Sequence, residues 1–296
     1  MTIIDAISNL IENPIYKLKD TYINERNRAN SAGDALEEYV KDLFAGTVTE
    51  LDESERKKRY SEVFSYLGNN SNPPDIILKN SDAIEVKKIE SSQGTIQLNS
   101  SYPKNKLLNS NSSISKACRE CEVDVDTGEN WNEKDVIYAI GTIDSNSRNL
   151  VNLIFIYGDE YAADIEIYEN IKQKIKDGIA KIEGIEFSPT KELGKVKKVD
   201  PLGITDLRMR PMWSIANPLK AFKEIFIINK EKSFNFTAII NKRKWNSFGN
   251  KEKLLKLIKT HDNVSLTEAK IQDSNNPAKL KEIIVITINA DIGENE

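Results

Sequence analysis

Three side chains in a short stretch are of the types that a phosphodiester hydrolase needs. Pro74-Asp75 is followed, after nine residues, by Glu85-Val86-Lys87. Breaking a phosphodiester requires a neutralised phosphate, an activated water and a stabilised leaving oxygen. Carboxylates that hold a hard divalent ion supply the first and third and assist the second. Side chains alternate along a strand, so Glu85 and Lys87 project together while Ile84 and Val86 pack on the other face. Asp75 begins the preceding strand, and a turn at Asn80-Ser81-Asp82 brings its carboxylate towards Glu85. Two neighbouring carboxylates repel unless a cation sits between them, so the pair predicts a metal site. Glu-x-Lys alone is weak evidence where 30% of residues are charged; it recurs at Glu55–Lys57 and Glu268–Lys270. Only the copy at 85–87 follows a Pro-Asp and has apolar residues in the opposite phase.

The elements that must position these groups read as a mixed α/β core with elaborations. Apolar residues Ala32, Ala35, Leu36, Tyr39, Val40, Leu43 and Phe44 recur at helical spacing over 31–46, with Ser31 as N-cap and Gly46 as stop. At 100° per residue Glu37 falls at the margin of that apolar stripe, within reach of a neighbouring site, and Glu38 points the opposite way. Strands are predicted at 75–79, 83–89, 135–143, 150–157, 224–228, 234–240 and 282–289, and helices at 162–182 and 245–259. Helix, hairpin, strands, helix and further strands do not make a regular βαβ series. The division expected is a catalytic part at 1–190 and a basic, DNA-recognising part at 191–296, unless both run together as one domain.

Composition excludes several chemistries. The 296 residues include one histidine, His261, so no Ser-His-Asp triad or histidine-rich metal cluster can be built without it. Cys118 and Cys121 form a single CxxC; zinc wants two further ligands, and reduced thiols are the better reading. The net charge of −4 conceals an asymmetry, because 191–260 holds 17 lysines and arginines against 6 acids. Such separation makes a basic binding face on an acidic protein. No apolar run approaches the roughly 18 residues that span a bilayer, and the first residues lack a signal-peptide pattern, so no membrane association and a cytoplasmic location are expected.

Beyond the Glu85–Lys87 strand, Gln93, Gln97, Asn99, Ser100, Ser101 and Lys104 form a set of amide, hydroxyl and ammonium groups suited to base edges and phosphates. Arg208 and Arg210, spaced i, i+2 on an extended segment, face one side. Arginine pairs bidentately with guanine, although phosphate contacts or surface ion pairs would use the same residues. Trp213 reads as a packing anchor. On residues alone, a repair or phage-defence nuclease without a fixed site, and a catalytically silent DNA-binding protein, both remain open.

The Asp75, Glu85, Lys87 pattern resembles the PD-(D/E)xK nuclease superfamily. Several blocks between about residues 30 and 220, SAGDALEEYVKDLF, PPDIILK, IEVKK…IQLNSSYPKNKL and VDPLGITDLRMRPMWSIANP, resemble the NgoPII family of type II restriction endonucleases. The resemblance implies a PD-(D/E)xK restriction-endonuclease-like core, a mixed central sheet flanked by helices with added DNA-binding elements. It implies cleavage of double-stranded DNA at GGCC between the central G and C, leaving 5′-phosphate and 3′-hydroxyl ends. Mg²⁺, replaceable by Mn²⁺, would be held by Asp75, Glu85 and the Val86 carbonyl. Lys87 would orient or activate the attacking water, and Glu37 would stand in the place of a further metal-linked glutamate. A palindromic target favours a homodimer, and a cognate DNA methyltransferase is expected as a genetic neighbour.

Overall fold

The chain enters the fold through α1 (Ile3–Glu12), whose Thr2 and Asp5 form a capping box and whose Ile3, Ile4, Ile7, Leu10 and Ile11 are buried. The computed structural model describes residues 1–18, 28–69, 72–91, 94–123, 127–144, 147, 149–182, 186–187, 192–226 and 228–292. Helix α2 (Arg28–Ala45) is the helix expected at 31–46, but it starts three residues earlier, so Ser31 lies inside it. Gly46 ends it as expected, at φ +72°, a left-handed conformation that glycine adopts without steric cost. α3 (Glu53–Val63) is capped by Asp52. Asp42 ties it to α2, accepting from Arg56 Nε at 2.8 Å and Tyr60 Oη at 2.8 Å.

Three strands then form an antiparallel meander: β1 (Phe64–Asn69), β2 (Asn72–Leu78) and β3 (Ala83–Ile89). β4 (Thr95–Asn99), β5 (Lys106–Leu108) and α4 (Lys116–Arg119) lead to β6 (Glu133–Ile143) and β7 (Leu150–Tyr157). α5 (Gly158–Tyr161) and α6 (Ile165–Ala180) replace the single helix expected at 162–182. β8 (Glu186–Phe187), β9 (Gly194–Lys197), β10 (Leu207–Met209), β11 (Trp213–Ala216) and α7 (Pro218–Ala221) follow. The chain returns to the core with β12 (Phe234–Asn241), α8 (Lys242–Ser247), α9 (Lys251–Thr260), β13 (Val264–Gln272) and β14 (Leu280–Ala290).

The central sheet runs β1-β2-β3-β6-β7-β12-β14-β13, with β5 paired to β6. β3 with β6 and β7 with β12 are parallel and the other pairs antiparallel, so the sheet is mixed. Strands from both sides of residue 190 share it. One face packs on α1, α2 and the C-terminal helices through Leu36, Leu43, Phe44, Phe155, Phe234 and Phe236. Each such side chain contributes about 1.5–3 kcal/mol on full burial. The opposite face buries Ile77, Tyr138, Ile140, Ile156 and Ile239 with Ile96 and Leu98 of the β4–β11 ribbon. No helix of the described residues is long and apolar enough to cross a membrane.

Three further sequence expectations need correction. β2 begins at Asn72, so Asp75 lies within the strand and does not begin it. The apolar run at 224–228 is not a strand: Ile225 and Phe226 donate backbone hydrogen bonds to the Phe222 carbonyl at 2.8 and 3.2 Å, prolonging the turn after α7. Ile227 lies outside the described residues. The helix expected at 245–259 is two helices, α8 and α9, separated at Phe248-Gly249-Asn250.

Candidate active site

The register of β2 and β3 pairs Ile76 with Ile84 and Ile77 with Ala83, which continues to set Asp75 opposite Glu85. Asp75 Oδ2 accepts from the Val86 backbone N–H at 2.6 Å, so its carboxylate is anchored across the strand pair. Lys87 Nζ lies 2.7 Å from Glu85 Oε1 and 3.9 Å from Asp75 Oδ2. All three side chains are about one-fifth exposed. Gly68 of β1 passes over this corner: a Cβ there would stand 2.7 Å from the carbonyl oxygens of both Pro74 and Asp75.

Burial and the neighbouring Glu85 charge push the Asp75 carboxyl up to about 7, against the pull of Lys87. Burial opposes the Lys87 ammonium, but Glu85 and Asp75 raise it well above the ordinary lysine range. The centre therefore holds two competing carboxylates and a firmly protonated amine. Glu37 contributes to the potential at both Asp75 and Lys87. Its carboxylate is held by Lys41 at 2.8 Å, whereas Glu38 also takes Arg56 at 2.7 Å, towards α3.

Among the described residues no group of three histidine, cysteine, aspartate or glutamate side chains forms a cage for a metal ion. Asp75 and Glu85 nevertheless fit a hard, largely hydrated cation, which binds through one or two carboxylates and completes its shell with water and substrate oxygens. Burial raises Asp75 most and the Glu85 charge adds to it; the second of these is what such an ion relieves.

The residues expected to face DNA lie on two small sheets and a loop. Gln97 and Asn99 occupy the exposed face of β4, whose Ile96 and Leu98 point inward; Ser100 and Ser101 follow in the turn. β4 pairs with β11, where Trp213 meets Tyr102 and Tyr168 edge-on at centroid distances of 6.2 and 5.6 Å. Lys104 is buried and shares a recess with Glu85 and Ser101. Arg208 and Arg210 sit on and just after β10, and both are more than half exposed. Glu192 clasps both: its Oε1 lies 2.7 Å from Arg208 Nη2 and 2.6 Å from Arg210 Nε. Gln93 lies outside the described residues.

The family described as NgoPII restriction endonuclease matches residues 1–272. The chain belongs to the NgoPII restriction endonuclease family. The type II restriction enzyme NgoPII of Neisseria gonorrhoeae is 52% identical over 287 residues, covering 97% of this chain and 99% of that enzyme. No solved structure matches the chain. Membership sets the enzyme class, a type II restriction endonuclease, which is a site-specific deoxyribonuclease.

In this NgoPII-family chain, sequence reasoning missed Lys41, Tyr138 and Glu192. The i, i+4 spacing of Glu37 and Lys41 was a usable signal. Glu192 precedes its arginines by 16 and 18 residues, a separation that carries none. Cys118 is buried and Cys121 half-buried; both are free thiols. Burial pushes Cys118 up to about 12, which suits a packed thiol. His261 ends α9, its Nδ1 2.9 Å from the Leu257 carbonyl.

Proposed function

We propose that this NgoPII-family enzyme cuts both strands of duplex DNA at GGCC, between the central G and C, leaving 5′-phosphate and 3′-hydroxyl ends. The observation that carries the reading is the meeting of Asp75 and Glu85 across paired strands with the Lys87 ammonium beside them. We read that arrangement, on a mixed sheet flanked by helices, as a PD-(D/E)xK centre. Asp75, Glu85 and the Val86 carbonyl would hold Mg²⁺, or Mn²⁺ in its place, which supplies Lewis-acid activation of phosphate and water. Lys87 keeps its proton at Nζ, orients the attacking water and offsets charge on the phosphate. Glu37, fixed by Lys41, adds negative potential on the metal side.

Arg208 and Arg210 read guanine in the major groove, leaving Glu192 for O6 and N7. Gln93, Gln97, Asn99, Ser100, Ser101 and Lys104 supply the remaining base and phosphate contacts. A palindrome read by one kind of chain calls for a two-fold homodimer, one strand cut by each subunit. Host DNA then needs protection by a cognate methyltransferase.

The test is a digest of DNA of known sequence with the ends mapped. Cutting at GGCC should need Mg²⁺ or Mn²⁺ and stop with a chelator. Lys87→Ala should lower it by about 10²- to 10⁴-fold, and cutting by that variant at the wild-type rate would remove Lys87 from the mechanism. Arg208→Ala and Arg210→Ala should each lose about 1–3 kcal/mol of discrimination against single-base variants. Equal weakening on every duplex would make them phosphate contacts.

A further inference from the structure

Three lysines are buried among the described residues: Lys41, Lys104 and Lys134. Lys41 sits on Glu37 and Glu38, and Lys134 on Glu122 at 2.6 Å. Lys104 has no carboxylate within ion-pair distance among the described residues. Its Nζ donates to Ser101 Oγ and, at 3.5 Å, to the Tyr102 carbonyl, and it lies 5.6 Å from the centre of the Tyr102 ring. None of these partners carries a charge. An ammonium taken from water without an anion is costly, and burial pulls Lys104 below the ordinary lysine range, Glu85 opposing and Lys87 adding to the effect.

The position is held firmly enough for that cost to be maintained. The Lys104 N–H donates to Tyr138 Oη at 2.7 Å, and the same hydroxyl donates to the Lys104 carbonyl at 3.2 Å. Tyr138 is the register partner of Glu85 in the parallel pair β3–β6. Lys104 and Ser101 share their recess with Pro74, Glu85, Tyr102 and Tyr138. An unneutralised cation is thus fastened to the strand beside the cleavage centre. Lys87, by contrast, already has Glu85 as counterion.

We propose that Lys104 and Ser101 form the pocket for the scissile phosphate itself, the ammonium contacting a non-bridging oxygen of the phosphodiester that is cut. Ser101 Oγ accepts from Lys104, so its own proton is free to donate to a second phosphate oxygen. Lys104 is then a catalytic residue and not one of many backbone contacts. This rests on the reading of Asp75, Glu85 and Lys87 as the cleavage centre.

The experiment is a binding cycle on the full chain in Ca²⁺, so that no cutting occurs. Wild type and Lys104→Gln are titrated with a GGCC duplex and with duplexes carrying a neutral methylphosphonate at the scissile position or two phosphates away. Losing one hydrogen bond to a charged group should weaken wild-type binding about ten- to a hundredfold when the scissile phosphate is neutralised. Lys104→Gln should bind the native duplex with a similar loss, and the scissile methylphosphonate should cost it clearly less than it costs the wild type, the remainder being the contact of Ca²⁺ with the same phosphate. Lys104→Arg, which keeps the charge, should restore most of the difference, and thermal melting checks that each variant is folded. Should Lys104→Gln not fold, the same cycle with Ser101→Ala decides. Additive losses, or coupling that follows the distant phosphate, would overturn the proposal. Binding reports on Lys104 without cleavage, so a wrong cleavage centre shows separately, as Asp75→Asn and Glu85→Gln proteins that cut like wild type in Mg²⁺.

Discussion

Asp75 is a group that the folded chain holds against its own interest. Its carboxyl is pushed up to about 7 by burial and by Glu85, so the folded state binds the Asp75 proton more tightly than the unfolded chain does. Stability from this group is fully present below the unfolded value, near 3.8, and is lost as pH rises to about 7. Asp75→Asn should therefore raise the melting temperature of metal-free protein at pH 8 and leave it unchanged near pH 3.5, while abolishing cleavage. An unchanged melting temperature at pH 8 would mean that the carboxylate pair carries no strain. Beside it, Glu37→Gln should weaken metal affinity about ten- to a hundredfold, measured by the Mg²⁺ dependence of cutting, and Glu38→Gln should not. Equal effects would put Glu37 outside the centre. The adjacency of Asp75, Glu85 and Lys87 was legible because strand alternation and a short turn are local properties. The burial of Lys104 and the clasp of Glu192 on Arg208 and Arg210 were not, because both depend on contacts between segments that only the folded sheet brings together.

The elements that present these groups depend on a few close backbone approaches. Gly158, at the start of α5, lies under the loop carrying Lys104. A Cβ there would collide with the Lys104 carbonyl oxygen and stand 2.7 Å from that of Asn105. Both obstacles are backbone and cannot rotate away. Gly158→Ala should cost about 1–3 kcal/mol of stability, read by denaturant unfolding, and should slow cleavage by shifting Lys104. Wild-type stability and rate in that variant would show that the loop gives way freely. Periodicity located α2, β3, β6, β7, β12 and β14 well, because their apolar residues face a continuous core. It failed at 224–228, where apolar density arises from a turn packing Phe226 inward. It also overlooked β13, whose burial pattern is mostly exposed, as befits the sheet's edge strand.

At the scale of the whole molecule, the basic C-terminal part is continuous with the acidic remainder, since β12, β13 and β14 extend the sheet that carries Asp75 and Glu85. Net charge is therefore a poor guide to DNA affinity here. Binding should fall steeply with salt, the slope of log affinity against log salt reporting the phosphates neutralised. Light scattering of the complex with a GGCC duplex in Ca²⁺ should give two chains per duplex; one chain would reject the homodimer. The strand order has one more effect, on how the protein is made. Lys87 leaves the ribosome roughly two hundred residues ahead of the end of β14, about 10–40 s at ordinary rates of synthesis. For most of that interval, until β12 (Phe234–Asn241) is made, β7 lacks its parallel neighbour. Asp75, Glu85 and Lys87 thus wait on strands made long after them for completion of the sheet that carries them.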